Sequence, residues 1–272
     1  MLKQYLLGVS LSSQTIPRTQ MLSKGVIFTA ALGLLAIPGV ASLERIVGGQ
    51  EIDITQTPYQ LSVRFQWMPI CGGGLIGPKH GLSAAHCFKV PGSYSARMGS
   101  NFVESGGTIV DIKRVLLHPL RAGHPFQYDI AVLEFTKPVE FSTSIRPAML
   151  PRQDETLPEG TSGRISGYGS TYTGQNGGSR MLRATEVVVA GLDECRSSYS
   201  PQHMVITTRM FCAGDSEGKR DSCQGDSGSP FVVSDTLYGL VSYGMDCGDP
   251  NHPGVYTNVA SYRDFIQINT GI

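Results

Sequence analysis

The chain contains the stretch Asp221-Ser222-Cys223-Gln224-Gly225-Asp226-Ser227-Gly228-Ser229-Pro230, which places a serine in a glycine-rich turn. A serine hydroxyl is a weak nucleophile until a neighbouring base removes its proton. Flanking glycines let the backbone turn tightly and direct N–H groups towards one point. The stretch therefore predicts an exposed nucleophile beside an oxyanion-binding turn, an arrangement suited to a hydrolase.

Two other segments supply the base and the acid that such a serine needs. Residues 83–87 (SAAHC) place His86 next to a cysteine, whose disulfide could fix the backbone of the histidine. Residues 128–133 (YDIAVL) place Asp129 at the start of an apolar run that is typical of a buried strand. A buried carboxylate needs a partner, and an imidazole N–H would supply one. The chain order is therefore His86, Asp129, Ser227, although spacing alone does not show that they meet.

The three segments resemble those that carry the Ser-His-Asp triad in the chymotrypsin-trypsin family of serine proteases, and in particular the secreted trypsins of invertebrates. The resemblance runs from Ile46 to near Ile272. It implies an all-β fold of two antiparallel six-stranded β-barrels, with the active site in the cleft between them and a C-terminal helix. His86 and Asp129 would come from the first barrel and Ser227 from the second, with the boundary near residue 150.

Composition fits such a fold and argues against a nucleic-acid-binding protein. The 272 residues have no net charge and no pronounced basic run. Glycine is frequent, at 33 residues, and only 16% of residues are charged, which suits an all-β chain with many turns.

Short sequence patterns predict the individual strands and one helix. Apolar and polar residues alternate from 59 to 65, the period of a strand with one buried face. Other strands are predicted at residues 130–135, 186–190, 237–242 and 255–259, with turn signals between them, which favours a sandwich or barrel. The helix is predicted over about 261–270, where Ser261 and Asp264 give a start signal and apolar residues form one face.

The first 45 residues are interpreted as processing sequence. Residues 25–41 are nearly all apolar, follow Lys24 and end in small residues, which predicts a secretory signal peptide over residues 1–41, with Met21 as an alternative start. A membrane anchor is the alternative, but the run is short and contains Pro38. Residues 42–45 would form an activation propeptide, and residues 46–272 the secreted, extracellular protease domain, with barrels over about 46–150 and 151–260.

Six cysteines indicate disulfides in a secreted chain. Six cysteines allow fifteen pairings, so their number alone leaves the connectivity open. The resemblance implies the pairs Cys71–Cys87, Cys195–Cys212 and Cys223–Cys247. A metal site is the alternative, but the cysteines are widely spread and lack CxxC spacing.

The resemblance also assigns the catalytic and activation roles. Ser227 would be the nucleophile, His86 the general base and Asp129 the residue that orients it. The backbone N–H groups of Gly225 and Ser227 would form the oxyanion hole. Arg45 precedes residues 46–49 (IVGG), so a cut there would free the Ile46 ammonium to pair with Asp226 and activate a zymogen. The alternative is that Arg45 merely precedes an edge strand.

Substrate choice is predicted from Asp221, which the resemblance places at the base of the primary specificity pocket. A buried carboxylate there would attract an Arg or Lys side chain. Ser242, Gly244 and Gly254 match the pocket walls, and glycine leaves them open. The alternative for Asp221 is a loop carboxylate that faces water.

The sequence departs from the family pattern at three positions near the site. Ser229 and Asp246 stand where glycine is usual, and Tyr243 where tryptophan is usual. Ser229 would be strained if it needed a positive φ. Asp246 could strengthen the negative potential at the pocket mouth, or could simply face water. Residues 99–107 lack the paired acids of the vertebrate calcium loop, so no calcium site is predicted.

The resulting hypothesis is a secreted trypsin-like endopeptidase that is made as a zymogen and cuts after Arg or Lys. It would need no cofactor or metal, act on protein or peptide substrates as a monomer, bind protein protease inhibitors, and contact neither nucleic acid nor membrane. The first alternative is a non-catalytic homologue that acts as a binding or cofactor protein. Such homologues usually lose a triad residue, and this chain retains all three. A regulatory protease of narrow specificity is the second alternative to a digestive enzyme.

Overall fold

A computed structural model describes residues 47–123, 126–174 and 177–272 of the chain. The predicted signal peptide, the predicted propeptide and Ile46 therefore lie outside the described residues. Thirteen strands occur in the described part, in chain order: β1 Gln50–Glu51, β2 Gln60–Phe65, β3 Met68–Gly77, β4 His80–Ser83, β5 Tyr94–Met98, β6 Thr108–Leu117, β7 Ala131–Phe135, β8 Ser162–Gly167, β9 Arg183–Val189, β10 Met210–Gly214, β11 Pro230–Val233, β12 Thr236–Tyr243 and β13 Gly254–Asn258.

These strands form two closed, antiparallel, six-stranded β-barrels, as the family resemblance implies. The first barrel runs in the order β2-β3-β4-β7-β6-β5, and β2 closes it by pairing with β5. The second runs β9-β10-β13-β12-β11-β8, closed where β8 pairs with β9, and β1 adds to β9 at its outside. The connection between the barrels spans residues 136–161.

Strand β2 differs from its prediction, because both of its faces are buried. Leu61 and Val63 face the first barrel's core and are fully buried, but Ser62 and Arg64 on the other face are also buried. Two contacts account for this burial. The amide oxygen of Gln60 accepts a hydrogen bond of 2.7 Å from Ser166 on β8 of the second barrel. Arg64, at the other end of the strand, donates to the carbonyl of Val103 in the loop that follows β5.

Two α-helices are present in the described residues, α1 Leu192–Tyr199 and α2 Arg263–Thr270, with 3-10 turns at Ile54–Gln56, Ala85–Cys87, Pro119–Arg121, Ser200–Gln202 and Val259–Tyr262. Helix α2 matches the predicted C-terminal helix, and its Ile266 is fully buried in the core of the first barrel. Its predicted cap is wrong. Ser261 lies in the preceding 3-10 turn, and the N–H of Asp264 donates to the side-chain oxygen of Gln153 at 3.0 Å.

Helix α1 was not predicted from the sequence. Its eight residues are mostly polar, and only Cys195 and Tyr199, one helical turn apart, are buried. So short a helix is marginal by itself, and packing must stabilise it. The disulfide from Cys195 to Cys212 on β10 attaches it to the second barrel. No helix among the described residues is long and apolar enough to cross a bilayer.

Candidate active site

His86 and Asp129 meet at one end of the first barrel. His86 lies in the 3-10 turn that follows β4, and the neighbouring Cys87 is bonded to Cys71 on β3. Asp129 lies just before β7 and is 1% exposed. The imidazole Nδ1 is 2.6 Å from Asp129 Oδ2, and the backbone N–H of His86 donates to Oδ1 at 2.8 Å. The two contacts fix both the ring and its backbone relative to the carboxylate.

The Asp129 carboxylate has two further partners. The Ser242 hydroxyl on β12 donates to Oδ2 at 2.6 Å, and Arg121 Nη1 donates to Oδ1 at 2.9 Å. Burial acts to raise the pKa of Asp129, but the hydrogen bond and charge of His86, with the Ser242 hydrogen bond, outweigh it and lower the pKa. Asp129 is therefore a buried carboxylate that stays ionised and faces an imidazole, as an orienting acid must.

Ser227 lies in a tight turn of the second barrel that packs against the segment carrying His86. The Ser227 carbonyl accepts from the N–H of Gly72 at 2.8 Å and lies 3.8 Å from Cys87 Sγ. Gly228 has φ +79°, and a Cβ there would lie 2.3 Å from the Ser83 hydroxyl oxygen. Only glycine therefore lets the turn approach β4 so closely.

Gly225 also takes a positive φ, of +94°, at the start of this turn. Within the described residues, no hydrogen bond uses the N–H of Gly225 or of Ser227 as its donor. Both N–H groups therefore lack an acceptor within the described residues, as the donors of an oxyanion hole would.

A cavity of about 250 Å³ opens beside Ser227. Its lining includes Asp221, Ser242, Gly244, Asp246 and Gly254. The structure therefore brings every predicted substrate-binding residue into one pocket. Ser242 has a second contact that the sequence did not predict, its hydrogen bond to Asp129.

Asp221 is buried at this pocket, and the reading of it as a loop carboxylate facing water is wrong. It is 3% exposed, and its oxygens accept from the N–H of Ser222 at 2.7 Å and of Gly248 at 2.9 Å. Burial raises the pKa of Asp221 to about 6. A Cβ on Gly254 would lie 3.0 Å from Asp221 Oδ1, and one on Gly244 would lie 4.0 Å from the Gly254 Cα. A side chain at Gly254 would therefore crowd the carboxylate, whereas a Cβ at Gly244 would meet no atom closer than 3.9 Å.

The three departures from the family pattern have distinct environments. Ser229 is 1% exposed and is not among the residues with positive φ, so the predicted strain is absent. Tyr243 keeps an aromatic wall, with its ring 5.2 Å from that of Phe126. Asp246 is exposed but lines the pocket. Its carboxylate adds a second acidic group to the pocket lining, besides Asp221.

All three disulfides implied by the resemblance are formed. Cys71 pairs with Cys87, Cys195 with Cys212 and Cys223 with Cys247. The last pair joins two segments of the pocket lining, the one that contains Asp221 and the one that contains Asp246. The disulfides thus lie beside His86, at helix α1 and across the pocket.

Asp226, the predicted partner of Ile46, is buried immediately before Ser227. Its Oδ1 accepts from the N–H of Gly169 at 2.8 Å, and its Oδ2 from the N–H of Cys223 at 3.1 Å. Burial raises the pKa of Asp226 to about 7. Arg45 and Ile46 lie outside the described residues.

Guanidinium groups hold the loop at residues 99–107, where the vertebrate family members bind calcium. Arg97 on β5 donates to the carbonyl oxygens of Glu104, at 3.0 Å, and Gly106. Arg64 on β2 donates to the carbonyl of Val103 at 2.8 Å. Both arginines are buried. The loop is therefore tied to the barrel by side chains of this chain.

Potential metal ligands cluster at one place in the described residues, Cys71, His86 and Cys87. The two cysteines are joined in a disulfide and offer no thiolate. Metal ligation by cysteine needs the thiolate, so the donor set does not fit a metal ion.

Arg121 is the site residue that sequence reasoning missed. It belongs to no catalytic motif, and its contact with Asp129 depends on the path of the intervening loop. A pattern search offers no signal for such a contact.

Comparisons with known proteins agree with this geometry. The Trypsin family model matches residues 46–266. The chain is 39% identical over 230 residues to Trypsin 5G1 of Aedes aegypti, which covers 84% of this chain and 86% of that protein. It is 38% identical over 229 residues to Vitellin-degrading protease of Bombyx mori, covering 83% and 85%. It is 34% identical over 258 residues to Trypsin of Phaedon cochleariae, covering 90% and 99%. The chain therefore belongs to the trypsin family and is a trypsin-like serine endopeptidase.

Proposed function

We propose that the chain is the secreted zymogen of an endopeptidase that cuts after Arg or Lys with Ser227, His86 and Asp129. Protein substrates follow from the family. The roles of the three catalytic residues and of Asp221 rest on the geometry of the site, and the proposals of secretion and activation rest on the sequence of residues 1–49. The observation that carries the specificity is the buried Asp221 carboxylate in a cavity that opens beside Ser227.

The proposed reaction is acyl transfer to water in two steps, the template worked out for this family. The Ser227 oxygen attacks the scissile carbonyl while His86 takes its proton, and the oxyanion accepts hydrogen bonds from the N–H groups of Gly225 and Ser227. His86 then gives the proton to the leaving amine, and an acyl-enzyme remains. Water, activated by His86, releases the acid product. Asp129 holds the imidazole tautomer and stabilises the imidazolium, as its 2.6 Å contact with Nδ1 allows.

The proposed substrate side chain enters the pocket and pairs with Asp221. Among the described residues, the Asp221 carboxylate accepts hydrogen bonds from the N–H groups of Ser222 and Gly248 and forms no ion pair. A cationic side chain of the substrate would supply the missing positive charge. Pairing with a cation lowers the pKa of a carboxylate. Arg or Lys binding thus favours the ionised form of Asp221, whose pKa burial raises to about 6 in the empty pocket.

The proposed activation step uses Asp226 in the same way. Cleavage after Arg45 frees the ammonium of Ile46, which inserts and pairs with the Asp226 carboxylate. Asp226 precedes Ser227, so this pair orders the oxyanion turn. Breaking one side of a buried ion pair costs roughly 3–5 kcal/mol, enough to control the conformation of a turn.

The test of the proposal is a cleavage-site profile on a peptide mixture, measured before and after activation. Protein cut at Arg45–Ile46 is expected to cleave after Arg and Lys, and N-terminal sequencing of the active material should read Ile-Val-Gly-Gly. Arg45→Gln protein should remain nearly inactive, with exposed Arg152→Gln as the matched control that activates normally. Cleavage after Phe or Leu would refute the pocket assignment, and full activity with the propeptide attached would refute the zymogen.

In the uncleaved protein, Asp226 is expected to contribute a loss of stability as pH rises from about 4 to 7. Its pKa of about 7 in the folded state lies above its value of 3.8 in an unfolded chain. The folded state therefore holds a proton on Asp226 that the unfolded state releases in this window, so the contribution of Asp226 to the free energy of unfolding falls as pH rises. Asp226→Asn in an Arg45→Gln background removes this titration. Its Tm should exceed that of its parent by roughly 5–10 °C at pH 8 and equal it at pH 4.

The control for this experiment is Asp193→Asn, at an aspartate whose side chain is 95% exposed on α1. It should leave the Tm difference from the parent the same at both pH values. A constant stabilisation by Asp226→Asn from pH 4 to pH 8 would show that the carboxylate does not titrate in this window.

A further inference from the structure

Arg121 places a permanent positive charge beside the carboxylate of Asp129. Its Nη1 lies 2.9 Å from Asp129 Oδ1, and the exposed fractions of the two side chains are 18% and 1%. Arg121 ends the 3-10 turn Pro119–Arg121, eight residues before Asp129. An arginine stays protonated at any pH at which a protein folds, so this charge is constant.

The two oxygens of Asp129 are divided between Arg121 and His86. Oδ1 accepts from Arg121 and from the backbone N–H of His86, whereas Oδ2 faces the imidazole and the Ser242 hydroxyl. When His86 gains a proton, one buried carboxylate must therefore balance two positive groups. Charges at short range and low exposure interact more strongly than charges in bulk water, so Arg121 and the imidazolium compete for this carboxylate.

The other titratable groups around Asp129 do not supply this charge. Burial, and then Asp129, raise the pKa of Tyr243 to about 12, and burial raises the pKa of Tyr262, so both are neutral at working pH. Arg209 faces the Tyr128 ring, with its Cζ 5.2 Å from the ring centroid. Among the described residues, the cationic groups in contact with the Asp129 carboxylate are Arg121 and, when protonated, His86.

We propose that Arg121 is a positioning residue of the triad, which holds Asp129 and opposes the protonation of His86, so that the enzyme works at lower pH than it would without this arginine. The proposal rests on the triad roles given above. It follows because a cation that shares the carboxylate weakens the attraction between Asp129 and the imidazolium. Neutral His86, the form that can accept a proton from Ser227, then persists further into the acid range.

The test is the pH profile of kcat/KM for activated wild type, Arg121→Gln and Arg121→Lys. The Gln variant keeps a hydrogen-bond donor but loses the charge. Its acid limb should move up by about 0.5–1 pH unit, so that the ratio of activity at pH 5.5 to that at pH 8.5 falls roughly three- to tenfold. The Lys variant keeps the charge and should stay close to the wild-type profile. Arg121→Leu serves as a second charge-removing variant if the Gln protein does not fold.

The matched control is Arg114→Gln, which removes an arginine that pairs with Glu134 on the surface of the same barrel. Its acid limb should coincide with that of wild type. An acid limb that stays in place in both Arg121→Gln and Arg121→Leu overturns the proposal, even if kcat falls, since a purely structural role lowers kcat at every pH alike.

A second measurement separates this proposal from the proposed function. The His86 imidazole signal is followed by NMR against pH in cleaved Ser227→Ala protein, with and without Arg121→Gln. Its titration midpoint should rise by the same 0.5–1 unit when the arginine is removed. If cleaved wild type shows no peptidase activity, the triad assignment fails, while an unmoved NMR midpoint overturns the role of Arg121 alone.

Discussion

Replacement of Ser227 by alanine is expected to lower kcat about a millionfold while leaving the fold intact, and His86→Ala should do nearly the same. The Ser227 oxygen forms the bond to the substrate, and His86 carries the proton in both steps. The His86 imidazole is oriented by a buried carboxylate 2.6 Å away, and the alanine variant removes the imidazole together with this contact. Activity is measured on an Arg peptide ester and an Arg peptide amide after cleavage at Arg45.

The double variant Ser227→Ala/His86→Ala distinguishes a shared unit from independent contributions. Members of a triad act together, so the double variant should be no slower than the slower single variant. Ser216→Ala, at an exposed serine, is the control and should keep full activity. Circular dichroism and thermal melts report the fold. A double variant slower by the product of the two single effects would contradict the shared mechanism.

Asp221→Ser is expected to reduce kcat/KM for Arg and Lys substrates by a factor of about a hundred to a few thousand. The change leaves the substrate cation in a pocket without its counter-charge, and an uncompensated buried charge costs roughly 3–5 kcal/mol. Cleavage after apolar residues should change much less, because the cavity and its glycine walls remain. Competition between Arg and Phe peptides in one reaction measures the change in preference directly.

Asp246→Gly is the matched control for Asp221, since both carboxylates line the same cavity. Asp246 is exposed, so its effect on Arg substrates should be small and should shrink as salt rises. An Asp246 variant that loses Arg preference as strongly as the Asp221 variant would place the selecting charge at the pocket mouth instead of its base.

The sequence predicted the parts of this molecule that local chemistry dictates. The glycine-rich turn around Ser227 and the apolar run after Asp129 each carry their own signal, and the resemblance joined them into two barrels. Barrel closure and the contact between the barrels depend on residues far apart in the chain, and they explain why the burial of strand β2 was predicted wrongly. Strand β2 looked half-buried because alternation reports one buried face, whereas Ser166 of the other barrel hydrogen-bonds Gln60 at its start.

The same limit explains the missed and misplaced helical features. Helix α1 is held by Cys195–Cys212 and by burial of Tyr199, neither of which gives an apolar period in eight residues. At the N-terminus of α2, the N–H of Asp264 donates to the side-chain oxygen of Gln153, which lies 111 positions away in the chain. The contact of Arg121 with Asp129 belongs to this class, since no local sequence pattern indicates it.

The buried arginines of the first barrel affect the resistance of the enzyme to autolysis. Under the proposed specificity, every Lys and Arg of the chain marks a bond that a second molecule could digest. Arg64 and Arg97 are 7% and 8% exposed, and each lies in a strand paired on both sides, so the bonds after them cannot enter another molecule's cleft without unfolding the barrel. Lys89 and Arg220 are exposed and lie outside strands. Self-digestion should therefore begin at such loops, and a cut after Arg220 would open the chain directly before Asp221, so that autolysis would damage specificity before it dismantled the fold.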